Sequence, residues 1–177
     1  ITSAVGATYT YDRRNSVVQP TAGFILTVSQ EFAGLGGDMT YSKTGGTARA
    51  YASLFDEQVV LSAELEGGAL FSQDDTRITD RFNAGGDSLR GLARNGVGPR
   101  DFCRVGDCLP PQENLKVDEA VGGNYFAALR LDASFPLGLP EEYGIFGGVF
   151  ADIGTLWGLN NTNGSMGQVD DSLHWRS

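Results

Sequence analysis

One feature constrains this chain more than any other. Apolar and polar side chains alternate every second residue in segments of about ten residues, and no helical period competes with them. In the stretch from Ser3 to Tyr11, Val5, Ala7, Tyr9 and Tyr11 face away from Gly6, Thr8 and Thr10. From Gly23 to Phe32, Phe24, Leu26 and Val28 oppose Thr27 and Ser29. Ala48, Ala50, Ala52 and Leu54 alternate with Thr47, Arg49, Tyr51 and Ser53, in a strand expected to begin near Asp38 and to bulge or bend at Gly45-Gly46. From Val59 to Ala69, Leu61, Ala63 and Leu65 oppose Ser62, Glu64 and Glu66. Two glutamates on one strand face require water or cations beside them.

The alternation lapses between Ser72 and Asp118, a segment rich in Gly, Pro and Asp. Loops of this length are uncommon in compact domains and usually carry function or disorder. Alternation resumes from Glu119 to Phe135, where Leu129, Leu131 and Ala133 oppose Arg130, Asp132 and Ser134. Pro136 to Tyr143 reads as a turn, Gly144 to Trp157 as the next strand and Asn160 to Asp171 as a polar loop. A last strand begins at Ser172. About seven strands in hairpin order, joined by alternately short and long connections, give an all-β antiparallel fold. Strands of about 9–11 residues favour a transmembrane β-barrel; the soluble alternative, a β-sandwich, has shorter strands and closer turns.

Composition fits this reading. The chain has 177 residues, 25 of them Gly, and a mean hydropathy of −0.17. Low average hydropathy is expected of a barrel, whose lumen residues alternate with lipid-facing ones. A net charge of −9 with scattered basic residues argues against a nucleic-acid partner. Cys103 and Cys108 cannot close a zinc site by themselves, and His174 is distant in sequence, so a disulfide in a surface loop is the better reading. No cofactor or metal is indicated. Glu64 and Glu66 resemble a glycosidase pair only in sharing a face, Asp170-Asp171 fits no known calcium loop, and His174 is poorly placed for a hydrolase. The chain is therefore expected not to be an enzyme.

Four ordered segments resemble the BamA, or bacterial surface antigen, superfamily of outer-membrane barrels. The first is Phe82-Asn83-Ala84-Gly85-Gly86-Asp87-Ser88-Leu89-Arg90-Gly91-Leu92 with Gly98-Pro99-Arg100-Asp101, similar to the family's signature loop. Leu92 stands where the family usually has an aromatic. The others are Ala120-Val121-Gly122-Gly123-Asn124, then Leu131-Asp132 before Phe135-Pro136, and Phe150-Ala151-Asp152-Ile153-Gly154-Thr155-Leu156-Trp157. Asp12-Arg13 with Pro20-Thr21 and Gly23 is similar to a further family turn.

The resemblance implies that residues 1–177 are part of a roughly sixteen-stranded barrel. Residues 72–118 would be its inward-folded loop, and the first and last barrel strands and the N-terminal POTRA domains would lie outside the chain. It implies assembly and insertion of outer-membrane proteins in a Gram-negative outer membrane. Partners would be unfolded outer-membrane clients, outer-membrane lipid and, mostly through the POTRA domains, the BAM lipoproteins. Related autotransporter-assembly or two-partner secretion barrels are the alternative, and a passive channel a weaker one.

By themselves Arg90, Asp132 and Asp152 read as solvated charges. Strand parity nevertheless puts both carboxylates on one face, and the family carries this loop inside its barrel. The resemblance thus implies that Arg90 pins the loop to Asp132 and Asp152. Leu89, Gly91 and Leu92 flank that anchor, and Gly85, Gly86 and Gly91 permit the tight backbone it needs. Trp157 and Tyr143 are candidate interface aromatics.

Overall fold

The computed structural model describes residues 3–34, 36, 40–55, 58–72, 75–86, 88–111, 114, 116–138 and 145–177. Six long antiparallel strands form the main sheet: β1 (Ala4–Asp12), β2 (Gly23–Ala33), β3 (Tyr41–Leu54), β4 (Val59–Ser72), β7 (Tyr125–Pro136) and β8 (Phe146–Trp157), paired in that order. A two-stranded ribbon, β5 (Arg100–Cys103) with β6 (Val117–Ala120), lies between β4 and β7 in sequence. A short hairpin, β9 (Asn163–Gly164) with β10 (Gly167–Gln168), follows β8. Where the seventh strand is expected, an isolated antiparallel bridge pairs Arg176 with Gly154. The described residues form an open sheet, and no helix among them is long and apolar enough to cross a membrane.

The alternation sorts the sheet into two chemically distinct faces. Cross-strand partners share a face, so the register places Leu26, Ala48, Leu65, Leu129 and Ile153 in one apolar row. Phe24, Ala50, Ala63, Leu131 and Ala151 form the next row. This face is bare: Leu65 is 59% exposed and Leu131 44%. A soluble domain rarely leaves so continuous an apolar surface in water, whereas a barrel wall presents it to lipid. At one end of this face Tyr125 stacks on Trp157 at 5.7 Å and meets Phe71 edge-on at 5.9 Å. Such a cluster suits the membrane–water boundary. Tyr143 lies outside the described residues.

The opposite face carries the charges and the long loop. Its packed core comprises Ala84, Leu89 and Val97 of the loop against Phe126, Ala128 and Leu156 of the wall, with Phe82 and Leu92 beside them. Phe82 also reaches a second cluster of Ala33, Tyr41 and Leu70, so one loop ring joins both ends of the packed region.

Two expectations from sequence are corrected. Gly45 and Gly46 form no bulge; they pair in unbroken register with Gly68 and Gly67. Paired glycines leave the sheet thin there and make room above it. Residues 117–120 do not begin β7 but pair with β5, and Gly122, at φ 71°, turns the chain between the two strands. The expected strand start near Asp38 and most of the 136–143 turn lie outside the described residues.

Candidate functional site

The site is the seat of the long loop on the charged face. Its tip is a compact turn. Gly85 and Gly91 adopt φ of 117° and 82°, in the region side chains avoid, and Gly86 has φ 62°. The Ser88 hydroxyl donates to the Gly85 carbonyl at 3.2 Å, and the Gly86 amide donates to the Leu92 carbonyl at 3.1 Å. That turn presents Leu89 and Arg90 side by side to the wall. Leu89 is wholly buried, and Leu92 packs on the same cluster.

Arg90 makes four hydrogen bonds to two carboxylates. Its amide and Nε donate to Asp152 Oδ2 at 2.8 and 2.9 Å, and its Nη2 donates to Asp152 Oδ1 at 2.6 Å. Nη1 donates to Asp132 Oδ1 at 2.5 Å. The guanidinium also lies over the Phe150 ring, 4.2 Å from its centre. Asp152 thus receives a bidentate fork plus a backbone amide, a geometry no ammonium reproduces. Its side chain is only 3% exposed, whereas Asp132 is 34% exposed, so Asp152 is the principal anchor and Asp132 the outer one. Hydrogen bonds to Asp152, then to Asp132, raise the Arg90 pKa further above its ordinary value, so the cation persists. The structure therefore brings together Leu89, Arg90, Gly91, Leu92, Asp132 and Asp152, with Gly85 and Gly86 at the base of the turn.

Several participants were not singled out from sequence. Gly68 and Gly154 are receptors for loop side chains: a Cβ on Gly68 would lie 2.4 Å from Phe82 Cζ, and one on Gly154 would lie 2.6 Å from Leu89 Cδ1. A glycine inside a strand is the available signal for such close approach, but its partner is non-local. Arg81 is buried at the loop's base, donating to Thr76 Oγ1 at 2.7 Å, the Thr76 carbonyl at 2.7 Å and the Val121 carbonyl at 3.0 Å. It ties the two ends of the loop together. The cations that Glu64 and Glu66 require are Arg130, which pairs with both, and Arg49, which pairs with Glu64.

Cys103 and Cys108 form a disulfide with Cα atoms 5.4 Å apart; both residues are buried, within a loop whose residues 104–107 and 109–111 are exposed, in keeping with the surface loop expected. Residues flanking the bridge contact the loop after β8. Asp101 accepts from the Ser165 amide and hydroxyl at 2.8 and 2.7 Å, and the Leu109 amide donates to the Ser165 carbonyl at 2.5 Å. No group of three or more His, Cys, Asp or Glu able to hold a metal lies among the described residues.

A strand wall with a bare apolar face, and a charged inner face that seats a long loop, defines a segment of an outer-membrane β-barrel with an inward-folded loop. Residues 1–175 match the Omp85 superfamily domain, and the chain belongs to that superfamily. It is 29% identical over 164 residues to the outer membrane protein assembly factor BamA of Neorickettsia risticii, covering 92% of this chain and 20% of the relative. It is 32% identical over 176 residues to the sorting and assembly machinery component 50 homolog of Bos taurus, covering 94% of this chain and 34% of the relative. The fold matches the crystal structure of BamA from Haemophilus ducreyi lacking POTRA domains 1–3, with a TM-score of 0.74. That match has 22% identity and covers 88% of this chain and 30% of the other. The chain thus spans between a fifth and about a third of the length of these relatives.

Proposed function

We propose that this chain forms the loop-bearing part of a barrel that assembles and inserts outer-membrane proteins. The observation that carries this reading is the seating of Arg90 on Asp152 and Asp132, which holds the long loop against the inner wall. A docked loop narrows the lumen, which suits a folding machine better than an open pore. Superfamily membership and the assembly-related names of the relatives support the same reading.

In this account the loop is a strut. It stiffens β4, β7 and β8 while other parts of the barrel present a strand edge to an incoming client. Client strands gain main-chain hydrogen bonds in a medium that offers none from water, so pairing itself supplies the driving force. No covalent chemistry, metal or cofactor takes part. The membrane is the outer membrane of a Gram-negative bacterium, the clients are unfolded barrel proteins, and lipid and BAM lipoproteins are the remaining partners.

The test is client folding by the full-length barrel protein that carries this segment, reconstituted in lipid vesicles and followed by the gel-mobility shift of a folded client barrel. The reading requires faster client folding than in protein-free vesicles, with Arg90→Ala removing most of the gain. No acceleration, together with a large steady single-channel current, would instead establish a passive channel.

A further inference from the structure

The Arg90 seat is not the loop's only polar attachment. Two residues before Arg90, the Ser88 carbonyl accepts a hydrogen bond from Arg130 Nε at 2.7 Å. Arg130 belongs to β7, and its other two nitrogens are committed as well: Nη1 pairs with Glu64 and Nη2 with Glu66, both on β4. Glu64 pairs on its other oxygen with Arg49 of β3. Register explains the alignment. Arg49, Glu64, Arg130 and Asp152 stand in one row across β3, β4, β7 and β8, alternating in charge. Arg90 from the loop caps that row at Asp152.

We propose that Arg130 is a second positioning residue for the loop, held by Glu64 and Glu66 so that its Nε–H reads the Ser88 backbone carbonyl. The side chain is only 15% exposed and both its terminal nitrogens are paired, which holds Nε–H toward Ser88. Because it reads backbone, this attachment is independent of the side chain at 90. Glu64 is itself buried and so needs a guanidinium beside it, which Arg130 supplies even where Arg49 is replaced. The row therefore couples wall stability to loop placement: the same cation that neutralises β4 orients the turn that delivers Leu89 and Arg90.

This inference rests on the docked loop but not on the identity of any client, so it is tested by loop exposure rather than by assembly activity. Ala84→Cys places a thiol in the loop at a position 1% exposed. Its labelling by a maleimide in the full-length barrel protein in membranes reports undocking, and Cys103 and Cys108 are protected by their disulfide. The informative variant is Arg130→Lys, which keeps the positive charge beside Glu64 and Glu66 but has no Nε–H set back from its tip to reach the Ser88 carbonyl while the tip serves both carboxylates. Labelling is expected to rise roughly tenfold, the scale of one charge-assisted hydrogen bond, while the heat-modifiable mobility of the folded barrel is retained. Arg49→Met, which removes a wall pair without touching the loop, is expected to leave labelling within about twofold of the parent. Unchanged labelling in Arg130→Lys would overturn the proposal, and so would an equal rise in Arg49→Met. If Arg130→Lys lowers barrel stability, hydrogen exchange of the Ser88–Gly91 amides under conditions where the barrel stays folded decides the matter. Protection equal to the parent then counts against the attachment.

Discussion

Leu89 of the loop rests directly on Gly154 of β8, and a methyl group built on that glycine would lie 2.6 Å from Leu89 Cδ1. Leu89 is wholly buried and has nowhere to retreat. Gly154→Ala should therefore weaken loop docking by about 1–3 kcal/mol, the usual scale of overpacking. Hydrogen exchange across residues 84–92 should accelerate accordingly while the wall strands keep their protection. Shortening the loop side chain with Leu89→Val in the same chain should recover part of the loss. Exchange unaffected by Gly154→Ala would mean that loop and wall are not in contact.

Arg90 and lysine are not interchangeable here. The seat uses Nε, Nη1, Nη2 and the amide of Arg90 against Asp152 and Asp132, and an ammonium cannot span both carboxylates. Arg90→Lys should behave nearly as Arg90→Ala in client folding, with at most a few-fold advantage. The raised Arg90 pKa fixes the pH response. A group whose folded pKa lies above its unfolded value contributes fully below the unfolded value and loses that contribution only as pH rises through the folded one. Loop docking in the parent should therefore be flat from neutral pH to beyond pH 10, well below the ordinary guanidinium range. Docking lost between pH 8 and pH 10 would assign the seat to another group.

The Cys103–Cys108 bridge closes a short loop far from Arg90 in sequence, so its expected contribution is about 2 kcal/mol and local. Replacing both cysteines with serine should loosen the contacts that Asp101 and Leu109 make with Ser165. Protease sensitivity should rise between residues 104 and 111. Ala84→Cys labelling in that background should stay at the parent level. A simultaneous release of the loop tip would show that bridge and seat form one cooperative unit.

Strand parity was legible from the sequence because a period of two leaves no freedom about which residues share a face. It therefore placed Asp132 and Asp152 together, and it placed Glu64 beside Glu66. Register between strands is not local information. That Arg130 stands opposite Glu64, and Gly45 opposite Gly68, follows only from how three strands align. The β5–β6 ribbon was missed for a related reason. Glu119 and Ala120 run on toward β7 in sequence, and only the pairing of residues 117–120 with Arg100–Cys103 reveals that they belong to the loop. The receptor glycines Gly68 and Gly154 were visible as letters, but the side chains they admit come from the loop, Phe82 in one case and Leu89 in the other.

The central claim is that Arg90 and Asp152 act as one unit in client assembly. A double-mutant cycle of Arg90→Ala and Asp152→Ala, read as the rate of client folding by the full-length barrel protein in vesicles, tests it most directly. Arg90→Ala strands the buried Asp152 carboxylate and should slow folding by an amount worth about 3 kcal/mol, whereas Asp152→Ala leaves Arg90 partly exposed and still paired with Asp132 and should cost about 2 kcal/mol. The double variant should be no slower than the worse single one, giving a coupling of about 2–3 kcal/mol. Two losses that simply multiply would show that the residues act separately, and would contradict the account.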